Sequence, residues 1–388
     1  MRRHVRRTLG IIASGTALSL AVLGAACAEA APDSGASPAR AVTAYVVNKG
    51  DGTVTPINTA TNKPGRAIQV EPAGDDHLTA FAIAITPNGR TGYVLANGAP
   101  GTLTPFSTAT NKPGAPITTD LASAMAITPN GKTLYLADDN LVIPVNTATN
   151  KPGRPIKVPC CAGTIVITPN GRTAYVLPNG GIPAPAVTPI STATNKAGRP
   201  IRINGDSTAM AITPNGRTLY VVNEGPGTVT PINTATNRAG RPIKVGHLPG
   251  VIAITPNGKT AYVGNIDSQT VTPINTATNR AGRAIRVPVS LPAATEGPAT
   301  IVFTPDSKTA YVVGGPDDVT PINTATNRAG RPIKVGHLPN SLAITPNGKT
   351  LYVVNSDSNT VTPVSTATNK AGRPIKVGLE PVAIAITP

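Results

Sequence analysis

The chain has no tryptophan, three phenylalanines, three cysteines, four histidines and only 18 acidic residues among 388. Each scarcity removes a class of function. Stacking platforms for single-stranded nucleic acid need exposed aromatics, so nucleic acid is not an expected partner despite a net charge of +16. A sugar-stacking lectin is disfavoured for the same reason. Cysteine is too sparse for a disulfide framework. After residue 30 no apolar run is long enough to span a bilayer, and no segment shows helical periodicity, which leaves strands and turns to build the fold. There is no nucleophile elbow, HExxH helix or phosphate loop, so an enzymatic role has little support and no cofactor is expected.

Repetition is what the chain has in abundance. The Asn that closes Thr-Ala-Thr-Asn falls at Asn62, Asn111, Asn150, Asn195, Asn237, Asn279, Asn327 and Asn369, at intervals of 39 to 49 residues. Such a period means stacked units, none of which buries its apolar face alone. In the unit after Pro249, residues 251–255, 260–264, 270–275 and 284–287 read as four strands, A to D. Asn-Gly, whose residues both tolerate positive φ, marks six of the seven complete A-to-B turns, with Asp306-Ser307 the exception. Four antiparallel strands in about 40 to 45 residues is the β-propeller period.

Strand counting predicts the closure. The first unit opens at a strand B, from Ala44, and the chain stops at a strand A, residues 381–388. The terminal strand can complete the blade begun by residues 44–70, giving an all-β, eight-bladed propeller over residues 44–388 closed by a three-plus-one clasp. Seven blades with a spare unit is the competing count, and it leaves strands unpaired. Strand C carries Pro56, Pro105, Pro144, Pro189, Pro231, Pro273, Pro321 and Pro363, which predicts a bulge or a gap in its pairing with D.

The strand B forms Tyr45-Val-Val-Asn48, Tyr220-Val-Val-Asn223 and Tyr352-Val-Val-Asn355, with the Thr-Pro-Asn-Gly turns and Val-Thr-Pro-Ile-Asn-Thr-Ala-Thr-Asn, resemble the YVTN-type β-propeller repeat family over residues 44–388. The resemblance implies an exported or surface protein with a non-enzymatic or undefined role. Related propellers include lactonases, but no motif here carries their catalytic residues across. The chain departs from the family's usual aspartates with Asn at the six turns and at Asn58, Asn146, Asn233, Asn275 and Asn323. Aspartate at those eleven positions would remove most of the excess positive charge.

Residues 1–30 read as a signal peptide: Arg2, Arg3, Arg6 and Arg7, an apolar stretch, then the small-residue site Ala28-Glu29-Ala30. Arg6-Arg7 weakly suggests twin-arginine export, and lipid anchoring through Cys27 is the less favoured alternative. Residues 31–43 read as a flexible leader. The expected product is a secreted or cell-surface monomer with no transmembrane span. The adjacent Cys160 and Cys161 read either as a vicinal disulfide or as two thiols.

In a meandering four-stranded blade the A-to-B and C-to-D turns emerge on one face, and the other connections on the opposite face. The first face receives seven cations from A-to-B turns, including Arg90 and Lys132, and fifteen from C-to-D turns, among them Lys63, Arg66, Lys151, Arg154, Arg238, Arg241, Arg328 and Arg331. Only Asp306 opposes them there. Cell-wall polymers, acidic polysaccharide, anionic lipid head groups and protein partners are the candidate ligands; the plainer account is that Lys and Arg keep exposed turns soluble. The second face receives fifteen acids. Asp75, Asp76, His77, His247 and His337, near the mouth of the ring, could bind a ligand or serve a lactonase-like hydrolase. Asp138-Asp139 and Asp317-Asp318 could hold Ca²⁺ loosely but lack a recognised loop spacing, and no metal site is expected.

Overall fold

The computed structural model describes residues 41–71, 79–98, 100–120, 122–179, 186–203, 205–287 and 300–388. The predicted signal peptide, most of the leader, and Asp75, Asp76 and His77 lie outside the described residues.

The chain forms eight blades in a ring, each an antiparallel meander, with no helix among the described residues. Strand A of the first blade is Pro381–Ile386 and its strand B is Thr43–Asn48; they pair from Ala44↔Ile386 to Asn48↔Pro381. The three-plus-one clasp is therefore present, and the count is eight. Strand C, Thr53–Asn58, then pairs with two short D segments, Lys63–Pro64 and Ile68–Gln69. In the unit after Pro249, strand A is Pro249–Ile254, B is Thr260–Asn265 and C is Thr270–Asn275. Strand D is split there too, into Arg280–Ala281 and Ile285–Arg286.

The prolines of strand C account for the split. The carbonyl of Pro56 points towards D and accepts from the Gly65 amide at 2.7 Å. Its missing N–H faces the same side, where D bends away, so no ladder bond is lost. All eight strand C prolines accept in this way, from Gly65, Gly114, Gly153, Gly198, Gly240, Gly282, Gly330 and Gly372, each at 2.7 Å.

The A-to-B turn differs from its expected form. In Thr86-Pro87-Asn88-Gly89 only the glycine has positive φ, 67°, and the Gly89 amide donates to the Thr86 carbonyl at 2.7 Å. Proline occupies the second turn position, which its fixed φ suits. Asn88 serves through its side chain: Oδ1 accepts from Thr86 Oγ1 at 2.8 Å and from the Arg90 amide at 3.0 Å. Asp306 accepts equivalently from Thr304 and Lys308. The position thus demands an acceptor and is indifferent to its charge.

Two belts fasten blade to blade on this face. Each strand B tyrosine is fully buried and donates its hydroxyl to the Asn closing the next blade's C-to-D turn: Tyr45 to Asn111, Tyr93 to Asn150, and onward round the ring to Tyr352, which reaches Asn62. All eight asparagines adopt left-handed φ, between 52° and 56°, which Asn tolerates better than most residues. Nearer the axis, turn glycines pack on the preceding blade's proline, as Gly131 does on Pro87 and Gly89 on Pro388.

Candidate functional site

The pairing registers fix the polarity of the disc. Thr43, Asn58, Lys63 and Ile386 stand at one end of the first blade; Asn48, Thr53, Gln69 and Pro381 stand at the other. Because the tyrosine and proline belts join like ends of neighbouring blades, every A-to-B and C-to-D turn emerges on the same face. All seven A-to-B cations and all fifteen C-to-D cations are exposed. Asp306 is the one acid in these turns, 3.5 Å from Lys308. The Thr304 hydroxyl, then the Lys308 amide, hold its carboxyl below the usual range.

The same logic explains the other Asn substitutions. Asn58 Oδ1 accepts from the amides of Ala60 and Thr61 at 2.9 and 3.1 Å, holding the start of the C-to-D turn, and Asn146, Asn233, Asn275 and Asn323 repeat the motif. A carboxylate would accept equally well. The face is basic because amides occupy acceptor positions, and this geometry is independent of that charge.

The opposite face holds the remaining sequence candidates, and the structure separates them. Asp138 is turned inward, 2% exposed, and accepts from the Asp120 amide at 3.2 Å, whereas Asp139 is exposed and in left-handed φ. Asp318 is likewise 2% exposed; Lys334 lies 2.8 Å from Asp317 and 3.8 Å from Asp318. His247 and His337 are exposed, and their backbone amides donate to Ser268 and Ser358 across matching loops. One blade stands between them, so they share no site. Among the described residues no three His, Cys, Asp or Glu side chains are grouped to hold a metal ion.

Two features escaped the sequence reading. Glu224 is half-buried; burial, then Asp206 and Asp267, hold its carboxyl above the usual range. Asp206 precedes the strand A paired beside Glu224, its carbonyl accepting from the Glu224 amide at 2.7 Å, and Asp267 comes from the next blade, a grouping no local motif signals. Near the axis, Ser123, Thr208 and Thr300 donate to the carbonyls of Ala162, Pro249 and Asn340, each in the next blade. Ser123 and Thr208 lie at bulges between strands A and B, where side chains are re-aimed. Cys160 and Cys161 are free thiols, both half-buried. Their mutual hydrogen bond is the main cause that pushes Cys160 up to about 11.

No protein-family model matches the chain, and no curated protein matches it. Solved structures do. NirN, a dihydro-heme d1 dehydrogenase, is similar with a TM-score of 0.72 and 13% identity, over 88% of this chain and 74% of that one. A chain of hydrazine synthase from Kuenenia stuttgartiensis is similar with a TM-score of 0.60 and 23% identity, over 78% of this chain and 99% of that one. A candidate 6-phosphogluconolactonase from Bacteroides fragilis gives a TM-score of 0.57 and 19% identity, over 82% of this chain and 100% of that one. At such identities the likeness concerns the fold alone, a β-propeller whose eight blades are counted from the strand pairing, and leaves activity to be argued from the residues.

Proposed function

We propose that the chain is an exported, non-enzymatic scaffold of the YVTN propeller type, whose basic face holds polyanions of the cell envelope. One observation carries this reading: among the described residues, seven A-to-B and fifteen C-to-D cations, all exposed, share their turns with a single acidic side chain, Asp306. Summed over a face, such charge attracts polyanions and steers their approach. The attraction is screened beyond roughly 8 Å at physiological ionic strength.

The eleven acceptor asparagines allow a test that leaves the turns intact. Replacing all of them with Asp keeps every acceptor while cancelling about half of the face's excess positive charge. The unaltered protein is expected to be retained on purified envelopes at low salt and released at high salt, and the Asp variant to pass through at both. Equal retention of the two proteins would sink the reading.

A lactonase-like hydrolase on the acidic face is the second reading. Glu224 favours it, since a half-buried carboxyl with a raised pKa suits a general acid. Its signature is turnover of lactone or ester substrates that Glu224→Gln abolishes and the eleven Asp substitutions leave intact.

A further inference from the structure

We infer that the basic face docks flat on an anionic phospholipid surface, through head-group phosphates and without insertion. This inference rests on the reading of that face as the binding surface, and it narrows the partner from any polyanion to a charged plane.

Three observations favour a plane. First, the cations stand at repeated positions of repeated turns. The eight C-to-D turns share one backbone form, with their closing Asn at φ between 52° and 56°, and each is tied to the neighbouring blade by a buried tyrosine hydroxyl. Equivalent turns in a closed ring lie at one level, so the cations form two concentric rings on a rigid platform. A linear polymer crossing such a platform engages only the charges beneath its track; a charged plane engages them all.

Second, no described turn on this face is built to enter a bilayer. Its turns are composed of Thr, Ala, Asn, Pro, Gly, Ser, Lys and Arg, with the single Asp306. Among the described residues the one exposed large apolar side chain, Leu379, lies in a D-to-A connection on the opposite face. Insertion of an interfacial element needs apolar area, so attachment here is electrostatic and wholly reversible by salt.

Third, the opposite face is acidic and would be repelled, which fixes the orientation. The six strand D cations, Lys157, Arg202, Lys244, Arg286, Lys334 and Lys376, do not belong to the docking plane. Lys244 and Lys334 reach towards the acidic face, to the Pro226 carbonyl and to Asp317.

That separation supplies a charge-matched control. The chain from Ala31 onward contains every strand of the ring and lacks the apolar stretch at residues 9–26, which could insert by itself. In this background two variants lose the same net charge. One carries Asn88→Asp, Asn130→Asp, Asn170→Asp and Asn215→Asp on the basic face; the other carries Lys157→Gln, Arg202→Gln, Arg286→Gln and Lys376→Gln on the rim. Co-sedimentation is measured with vesicles of phosphatidylglycerol and phosphatidylcholine, with phosphatidylcholine alone, and with soluble polyphosphate as the linear competitor, after thermal melts confirm that both variants are folded.

The expected result is binding to the anionic vesicles only, abolished at high salt. A charge near such a surface is worth about a factor of five in partitioning, so the face variant should lose at least tenfold and the rim variant less than about threefold. Retention on polyphosphate or envelope polymer without vesicle binding overturns the planar partner and leaves the basic face as the binding surface. Binding to neither, or equal losses in the two variants, overturns both readings. Vesicle binding that survives high salt shows insertion and overturns the inference.

Discussion

Each strand B tyrosine supplies a fully buried ring and one hydroxyl donor, and that hydroxyl needs a partner because an unpaired buried donor is costly. The partner lies in the next blade: Tyr220 donates to Asn279 at 2.6 Å. Tyr220→Phe should cost about 1–2 kcal/mol in urea unfolding. Asn279→Ala should cost more, because it removes the acceptor and also a residue that tolerates φ of 54°. Burial pushes Tyr93, Tyr175, Tyr220, Tyr262, Tyr311 and Tyr352 up to about 12 from an ordinary value of 10.0. Between those values the unfolded chain releases protons that the native ring still holds. Stability is therefore full below pH 10 and declines as pH rises towards 12, and each Tyr→Phe variant should flatten the decline in unfolding midpoints. The tyrosine was legible as a repeated strand B position; its hydrogen bond was not, because Tyr220 and Asn279 lie 59 residues apart and only the ring brings them together.

At the scale of the turn, the four-residue unit and its single left-handed glycine explain why Asn and Asp interchange. Asn257→Asp should change stability by no more than about 0.5 kcal/mol, since Oδ1 continues to accept from Thr255 and Lys259. Gly258→Ala should cost about 1–2 kcal/mol for its φ of 70°, with further crowding because the new Cβ would lie 3.3 Å from Pro214 Cδ. The pair of thermal melts checks whether backbone or side chain governs the turn. Ser307 occupies the glycine position at φ 62° and recovers part of that strain by accepting from the Asn257 amide at 3.0 Å. The hairpin was legible from Asn-Gly, but its type was not. Proline before the pair admits a turn in which asparagine keeps ordinary φ, and the dipeptide alone does not distinguish the two. Strand D was legible only in part: the proline in strand C announced the gap, while residues 284–287 read as one strand because their apolar and basic alternation does not reveal where pairing stops.

For the whole molecule, closure and polarity were legible because they follow from strand order alone. A chain that opens at strand B and stops at strand A can close only by pairing its ends, and a meander must send alternate turns to opposite faces. The fate of single carboxylates was not legible: Asp138 turns inward while Asp139 stays exposed, a difference set by packing around the blade. The clasp can be tested by removing its strand. Strand Pro381–Ile386 covers one edge of Thr43–Asn48, accepts from Asn340 and Ser356 at the Pro381 carbonyl, and brings Pro388 against Gly89. Removing residues 381–388 would leave Ala44, Val46 and Val47, now 0% exposed, along an unpaired edge and would undo both neighbouring seams. A closed ring has no terminal unit to absorb that loss, and an exposed apolar edge pairs with other chains. The shortened protein should therefore lose its single cooperative melt and associate in analytical ultracentrifugation, while a synthetic peptide of residues 381–388 restores a monomeric species. An unchanged melt of a monomeric shortened chain would show that the ring holds without its clasp.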